Sequence, residues 1–297
     1  MAQKLKGKSA VVTGSGSPVG VGRAVALALA AEGARVVVND IGRDRDGSSG
    51  ADRVVTEIKK AGGTAVANYD SVTTMQGGAN IIKTAVDSFG RIDILVNCAG
   101  NVRQETLLEV NEEQWDSVIN VHLKGHFSCC KAAAQEMSKQ KSGRIINFSS
   151  RAAFSFGGGG LAYTVAKAGI LGLTSSLTGD LKKYGITVNA ILPSAVTSLF
   201  PESRASFGGG QTQGPDFIAP IIVYLATDEA QNITGQFIYT SGGDICIYSR
   251  PMQLPGPHMF IRKTGKWTVG ELSEVIPSLV GQKEFTDLPP PAPAGKA

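Results

Sequence analysis

The chain has 297 residues, of which 37 are glycine and 13 proline, with 42% hydrophobic and 18% charged residues. Against ordinary usage of about 7% glycine and about 25% charged residues, this is an apolar, glycine-rich globular sequence with length for one large domain or two small ones. The net charge of +4 is scattered along the chain, which argues against nucleic acid as a partner, and no apolar run approaches the ~20 residues of a membrane span.

The best apolar stretch, 24–38, is interrupted by Glu32 and Arg35. Only 10–12 are apolar after the N-terminal lysines, so no secretory signal is expected. Four cysteines, Cys98, Cys129, Cys130 and Cys246, form neither a disulfide framework nor a C-x-x-C metal spacing. A reducing, cytoplasmic setting without a metal fits them.

Short β-branched runs then alternate with helix-period segments. Residues 9–13 (SAVVT) read as a buried strand and 23–31 as an Ala/Leu helix. A second strand, 35–39, precedes an amphipathic helix over 52–61, closed by Gly62 and Gly63. A third strand spans 64–69, a helix over 78–89 stops at Gly90, and a fourth strand covers 93–97. One long helix is predicted over 114–138, then a strand over 144–149, a helix over 163–184 and a strand over 187–192. A helix over 218–226 and a strand over 236–240 close the series. Uninterrupted apolar strands between helices point to a parallel sheet buried on both faces. Right-handed crossovers make that sheet doubly wound, with its site at the strand C-termini. The expected fold class is therefore α/β, a Rossmann-type doubly wound parallel sheet in three α/β/α layers, with a short C-terminal extension.

Two stretches break the pattern. Residues 198–217, rich in Gly, Pro and polar side chains, read either as a mobile lid or as a surface loop. Beyond Tyr248, a Pro-rich stretch leads to a predicted helix over 269–279 and a Pro/Ala-rich tail. The expected division is a dinucleotide-binding unit over 1–248, an extension over 249–286 and a disordered tail over 287–297.

The first strand runs straight into a turn carrying Gly14, Gly16, Gly20 and Gly22, and the turn opens a helix. Such a turn brings backbone amides up to a pyrophosphate at the helix N-terminus. Asp40 ends the second strand, 20 residues beyond Gly20. A carboxylate there accepts ribose hydroxyls and repels a 2′-phosphate, which favours NAD over NADP. Arg43 and Arg45 pull the other way, and an ordinary strand-end turn residue is the alternative reading of Asp40.

Taken in order, Gly16-x-x-x-Gly20-x-Gly22, Asp70 after the third strand, Asn97-Cys98-Ala99-Gly100 after the fourth, and Tyr163-Thr-Val-Ala-Lys167 are highly specific. Ser150 stands 13 residues before Tyr163. Over roughly residues 5–248 the chain resembles the classical short-chain dehydrogenases/reductases. The resemblance implies hydride transfer between a secondary alcohol or ketone and a nicotinamide, with Ser150, Tyr163 and Lys167 as the catalytic residues. The chemistry agrees. The alcohol proton needs a base, and an unperturbed tyrosine, pKa ~10, is a poor one. Lys167, one helical turn on, lowers the tyrosine's pKa and holds the nicotinamide ribose, while Ser150 steadies the substrate oxygen. For the cofactor the resemblance implies contacts from Gly16, Ser17, Gly20 and Val21 in the turn. Asp40, Asp70, Ser71, Asn97, Ala99 and Gly100 are implied as further cofactor contacts. Tyr163 and Lys167 would also meet the cofactor, Lys167 at the nicotinamide ribose, and Pro193, Val196 and Thr197 would line the carboxamide.

Three positions depart from the family pattern. His122 stands where asparagine is usual, and Asn120 lies two residues before it. Histidine can carry the same proton relay or hold the same water; a packing histidine is the other reading, and Asn120 is a partial substitute. The glycine turn is two residues longer than usual, and Ser194 replaces a glycine.

Val36–Gly42, 63–72 and 121–127 carry the resemblance further. They are similar to the 3-hydroxyacyl-CoA dehydrogenase units of the type 2 peroxisomal multifunctional enzymes (17β-hydroxysteroid dehydrogenase type 4) and their bacterial relatives, a subgroup that shares the histidine. This implies an NAD-dependent dehydrogenase of a 3-hydroxyacyl-CoA, fatty or steroid side-chain, working as a homodimer or homotetramer. The alternatives are a hydroxysteroid or other cyclic or aryl alcohol dehydrogenase acting without CoA and, remotely, a non-catalytic NAD-binding sensor. Phe154 and Phe156 could line an acyl or steroid pocket, and Arg262, Lys263 and Lys266 could meet CoA phosphates; core packing and a solvated basic cluster are the competing readings.

Overall fold

In the computed structural model, residues 3–43, 47–154, 160–202 and 213–248 are described. The central apolar runs form strands because they bury both faces, while the edge strand over Asp244–Tyr248 stays largely exposed. β1 (Ser9–Thr13), β2 (Arg35–Asn39), β3 (Thr64–Asn68), β4 (Ile94–Asn97), β5 (Gly143–Phe148), β6 (Ile186–Pro193), β7 (Phe237–Ser241) and β8 (Asp244–Tyr248) make one sheet, in the order β3-β2-β1-β4-β5-β6-β7-β8. Successive residues of a strand face opposite layers. Val12, Val36, Val38, Ile94, Val96 and Ile146 therefore belong to one core. Their neighbours Val11, Val37, Leu95 and Ile145 belong to the other. Each such side chain contributes about 1.5–3 kcal/mol of apolar burial.

The first core is covered by α1 (Val21–Ala31), α2 (Gly50–Lys60) and α7 (Ala219–Ala226). The second is covered by α3 (Met75–Phe89) and α5 (Gly125–Gln140), with α6 (Leu161–Leu181) on the same face of β6. Side chains fix where helices begin. Ser49 accepts from the Asp52 amide at the start of α2, and Thr74 from the Gly77 amide at the start of α3. Asn111 and Gln114 form a reciprocal capping box at the start of α4 (Glu112–Ile119).

Two expectations are corrected. The long helix predicted over 114–138 is α4 and α5 joined by a π turn over Asn120–Lys124; the apolar period does not reveal the extra residue per turn. The sheet is also not wholly parallel. β8 returns antiparallel to β7, pairing Ser241 with Asp244 across Gly242 and Gly243. Two glycines between β-type runs are a hairpin signal. Of the predicted lid, residues 203–212 lie outside the described residues, as do the extension and tail beyond 248, with Phe156, Arg45, Arg262, Lys263 and Lys266.

β1 has β2 on one side and β4 on the other, so connections leave in opposite directions at its C-terminal end. A crevice opens at such a switch point. The loops after β1, β4, β5 and β6 all meet there.

Candidate active site

The crevice is a cleft of about 970 Å3 along these loops, and its walls include Ser17, Asp40, Asp70, Gly100, Tyr163 and Pro193. At its first wall the glycine turn is held by its neighbours rather than by its own bonds. Gly14, at φ +62°, passes so close to the next loop that a Cβ would stand 2.5 Å from the Ala99 Cα. A Cβ on Gly22 would stand 2.4 Å from the Gly14 carbonyl oxygen. Thr13 Oγ1 accepts from the amides of Cys98 and Ala99 at 3.1 and 3.2 Å, tying the loop after β4 to β1.

Asp40 has a double task. Its Oδ2 accepts from the Gly16 amide and its Oδ1 from the Gly42 amide, each at 2.7 Å, while the residue lines the cleft. Asp70 is pinned by Asn68 and Asn80 side chains at 2.8 and 2.9 Å. Ser17 donates to Ser198 at 3.1 Å, bridging the turn to the loop after β6.

Of the residues predicted to hold a cofactor, Ser17, Gly20, Val21, Asp40, Asp70, Ser71, Ala99, Gly100, Tyr163, Lys167, Pro193 and Thr197 come together around the cleft. Three lie elsewhere. Gly16 packs on Asp40 and Gly50, and Gly14 takes the place on the cleft wall. The longer turn shifts the spacing, so Gly14 and Gly16 both compete for the first place of the motif. Asn97 is buried beneath the floor, its side chain donating to Asn147 at 3.0 Å. Val196 binds the Gln213 carbonyl through its amide at 2.8 Å, off the wall. Sequence reasoning missed Val19, Ile41, Asn101, Arg151, Phe200 and Tyr248 as wall residues; Val19 and Ile41 are unspecified positions within motif stretches, and loop proximity brings in the others.

At the other end, Gly160 starts α6 at φ +79°, with the Arg103 carbonyl where a Cβ would be. This close approach sets the first turn of α6, which carries Tyr163. Ser150 and Tyr163 line the cleft together, and the Ser150 hydroxyl favours the phenolate. Burial outweighs it, and the Tyr163 pKa is raised. The expectation that Lys167 lowers it is not met in the protein alone. The Lys167 ammonium stands 5.4 Å from the Tyr163 ring centroid and donates instead to the Phe148 carbonyl at 2.7 Å. Burial pushes the Lys167 pKa down to about 8.

His122 lies in the π turn and is 2% exposed. Its Nε2 meets the Asn101 carbonyl at 2.8 Å, and its ring stands edge-on to Tyr163. Burial first, then the Lys167 charge, hold it neutral, well below the usual histidine range. Asn120 shares the π turn but is not on the cleft wall.

The cleft fits an extended dinucleotide: a turn that admits no Cβ near the helix N-terminus, a carboxylate at the second strand end, and a hydroxyl–phenol–ammonium group at the far end. The family model for short chain dehydrogenases matches residues 8–206, and the chain belongs to that family. It is an oxidoreductase acting on CH–OH groups, in a family that binds a nicotinamide cofactor. The peroxisomal multifunctional enzyme type 2 of Mus musculus is 40% identical over 247 residues, 80% of this chain and 32% of that one, so the chain spans about a third of that relative. A 3-oxoacyl-(acyl-carrier-protein) reductase of Synechocystis is 40% identical over 251 residues, covering 80% of this chain and 97% of that one. The crystal structure of a short chain dehydrogenase from Mycobacterium avium is 42% identical with a TM-score of 0.83, covering 94% of this chain and 96% of that one. Among the described residues no helix is long and apolar enough to cross a membrane.

Proposed function

We propose that the protein is an NAD-dependent dehydrogenase of 3-hydroxyacyl thioesters, with Ser150, Tyr163 and Lys167 as its catalytic residues. The meeting of Ser150, Tyr163 and Lys167 on one stretch of the cleft carries the reading, because it brings a proton acceptor and an oxygen-holding donor to the same place. Relatives on both sides of the resemblance bear names of 3-oxoacyl or multifunctional peroxisomal activity, which supports the acyl thioester. Phe154, Leu199 and Phe200 give that end of the cleft apolar walls suited to an acyl chain.

A bound oxidised nicotinamide would supply the hydride acceptor, and Tyr163 and Lys167 are among the residues that would hold it. Ser150 then donates to the substrate oxygen. Tyr163 takes the hydroxyl proton as the carbonyl forms, and Lys167, titrating near neutrality, passes the proton on. Asp40 supports NAD over NADP, since a 2′-phosphate would meet its carboxylate. In keeping with this reading the protein works in the cytoplasm as a homodimer or homotetramer, with 249–286 serving assembly.

The test is kcat/KM for a 3-hydroxyacyl-CoA, the matching free alcohol and a cyclic hydroxysteroid, each with NAD and NADP. The thioester with NAD should lead by about tenfold or more, the scale of a ~1.4 kcal/mol preference. Equal rates for thioester and free alcohol would sink the CoA reading, and a steroid preference would favour the cyclic alcohol instead.

A further inference from the structure

Three consecutive residues at the end of β5 hold the helix that carries Tyr163 and Lys167. Asn147 donates through Nδ2 to Thr174 Oγ1 at 3.1 Å. The Phe148 carbonyl accepts from the Lys167 ammonium at 2.7 Å, and the Ser149 hydroxyl donates to the Lys167 main-chain carbonyl at 2.8 Å. Lys167 is therefore held at both ends, its ammonium by one residue and its backbone by the next. Ser149 is itself fixed, because its amide donates to the Ile191 carbonyl of β6 at 2.8 Å, one residue past the end of β5. Ser149 and Lys167 are 3% and 5% exposed, so both bonds lie where water competes little. A carbonyl in mid-helix already accepts from the amide four residues on, so the hydroxyl is not needed to satisfy it. What the extra bond adds is direction. It sets where the Lys167 backbone stands relative to the β5 chain, whose next residue is Ser150.

We propose that Ser149 is a positioning residue for Lys167, fixing its backbone so that the ammonium reaches the nicotinamide ribose from one place. Without the hydroxyl, Lys167 would be held to β5 only through its ammonium, at the end of a flexible four-carbon stem. The backbone from which that stem projects would then be free to shift. Ser149 also lines the cleft, but its hydroxyl donates into α6, so it acts through Lys167 rather than on a ligand. The Asn147–Thr174 bond, two turns further along α6, holds the same helix without touching Lys167 and supplies the comparison. The proposal rests on the reading of an NAD cofactor with Lys167 at its ribose, and not on the choice of thioester.

The test measures the dissociation constants of NADH and of ADP, which lacks the nicotinamide ribose, by calorimetry on full-length protein. Ser149→Ala removes the hydroxyl, Ser149→Thr keeps it, and Thr174→Val breaks the neighbouring bond. In Ser149→Ala, NADH should bind about five- to tenfold more weakly, the scale of one hydrogen bond, while ADP stays within about twofold. Ser149→Thr should recover most of that loss. Thr174→Val should melt at a lower temperature, because it orphans a buried amide, yet hold NADH within about twofold of the native protein. If Ser149→Ala does not fold, Ser149→Cys, a weak donor, takes its place in the comparison. No substrate is needed, so the result is independent of the substrate assignment. A native protein that binds NADH no more tightly than ADP would overturn the cofactor reading and this proposal together. A native preference for NADH that Ser149→Ala keeps, that Thr174→Val loses equally, or that Ser149→Thr does not recover would overturn this proposal alone and leave Ser149 as a packing residue.

Discussion

The imidazole of His122 meets the phenol of Tyr163 edge to face, ring centroids 5.2 Å apart at 88°. The Nε2 of the same ring lies 2.8 Å from the Asn101 carbonyl and 3.1 Å from its amide, bonding one or the other according to its tautomer, and so anchors the loop after β4. One residue thus steadies both the base and the wall opposite it. His122→Ala should lower kcat by about 10- to 100-fold, in the range of a misplaced acid–base group. His122→Asn, the residue usual in the family, should lose much less. Steady-state kinetics of the two variants side by side checks this; equal losses would mean that the ring only fills space.

Lys167 trades stability for function. Its folded pKa, about 8, lies below its ordinary 10.5. Between these values the unfolded chain binds the proton that the folded one has lost, so stability rises with pH from about 8 to 10.5 and is lowest below 8. Lys167→Met removes the buried charge. At pH 7 the variant should be inactive yet melt about 2–4 °C higher, and the gap should narrow as the pH passes 9. Thermal melts across this range decide it; a variant less stable at pH 7 would contradict the burial argument.

In the proposed reading Asp40 couples cofactor choice to the shape of the turn. Its carboxylate accepts from Gly16 and Gly42 as well as lining the cleft. Asp40→Ala should therefore cut the NAD-over-NADP ratio of kcat/KM by about tenfold or more and also destabilise the fold by about 1–3 kcal/mol, the cost of two orphaned amides. A changed ratio with unchanged stability would show that the turn does not lean on this residue.

Gly160 is fixed by backbone geometry. Its φ of +79° and the carbonyl of Arg103 leave no room for a methyl group. Gly160→Ala should destabilise by more than about 1 kcal/mol and, by displacing the first turn of α6, lower kcat more than it raises KM. Gly172, with nothing within 4 Å of its would-be Cβ, is the control position.

Much of this was written in the sequence. The alternation of strands and helices, the Tyr163/Lys167 pair one turn apart and Asp40 at a strand end are local patterns, and local patterns survive in one dimension. What was not legible depended on long-range contact or on backbone detail. The π turn at Asn120–Lys124 leaves no mark in apolar spacing. Gly14 and Gly16 are equivalent in composition, and only the approach of Ala99 to one and Asp40 to the other separates them. The direction of the Lys167 ammonium is set by the Phe148 carbonyl, 19 residues away in the chain. Spacing shows that a lysine can reach a tyrosine on its own helix; it does not show which acceptor it chooses.

The central claim is that Tyr163, supported by Ser150 and Lys167, takes the hydroxyl proton of a 3-hydroxyacyl thioester as NAD is reduced. The most direct measurement is NADH formation from a 3-hydroxyacyl-CoA by the native protein and by Tyr163→Phe. The account predicts turnover by the native protein and a loss of at least about 100-fold in the variant, the lower bound for general acid–base catalysis. Comparable NADH formation by both proteins would contradict it.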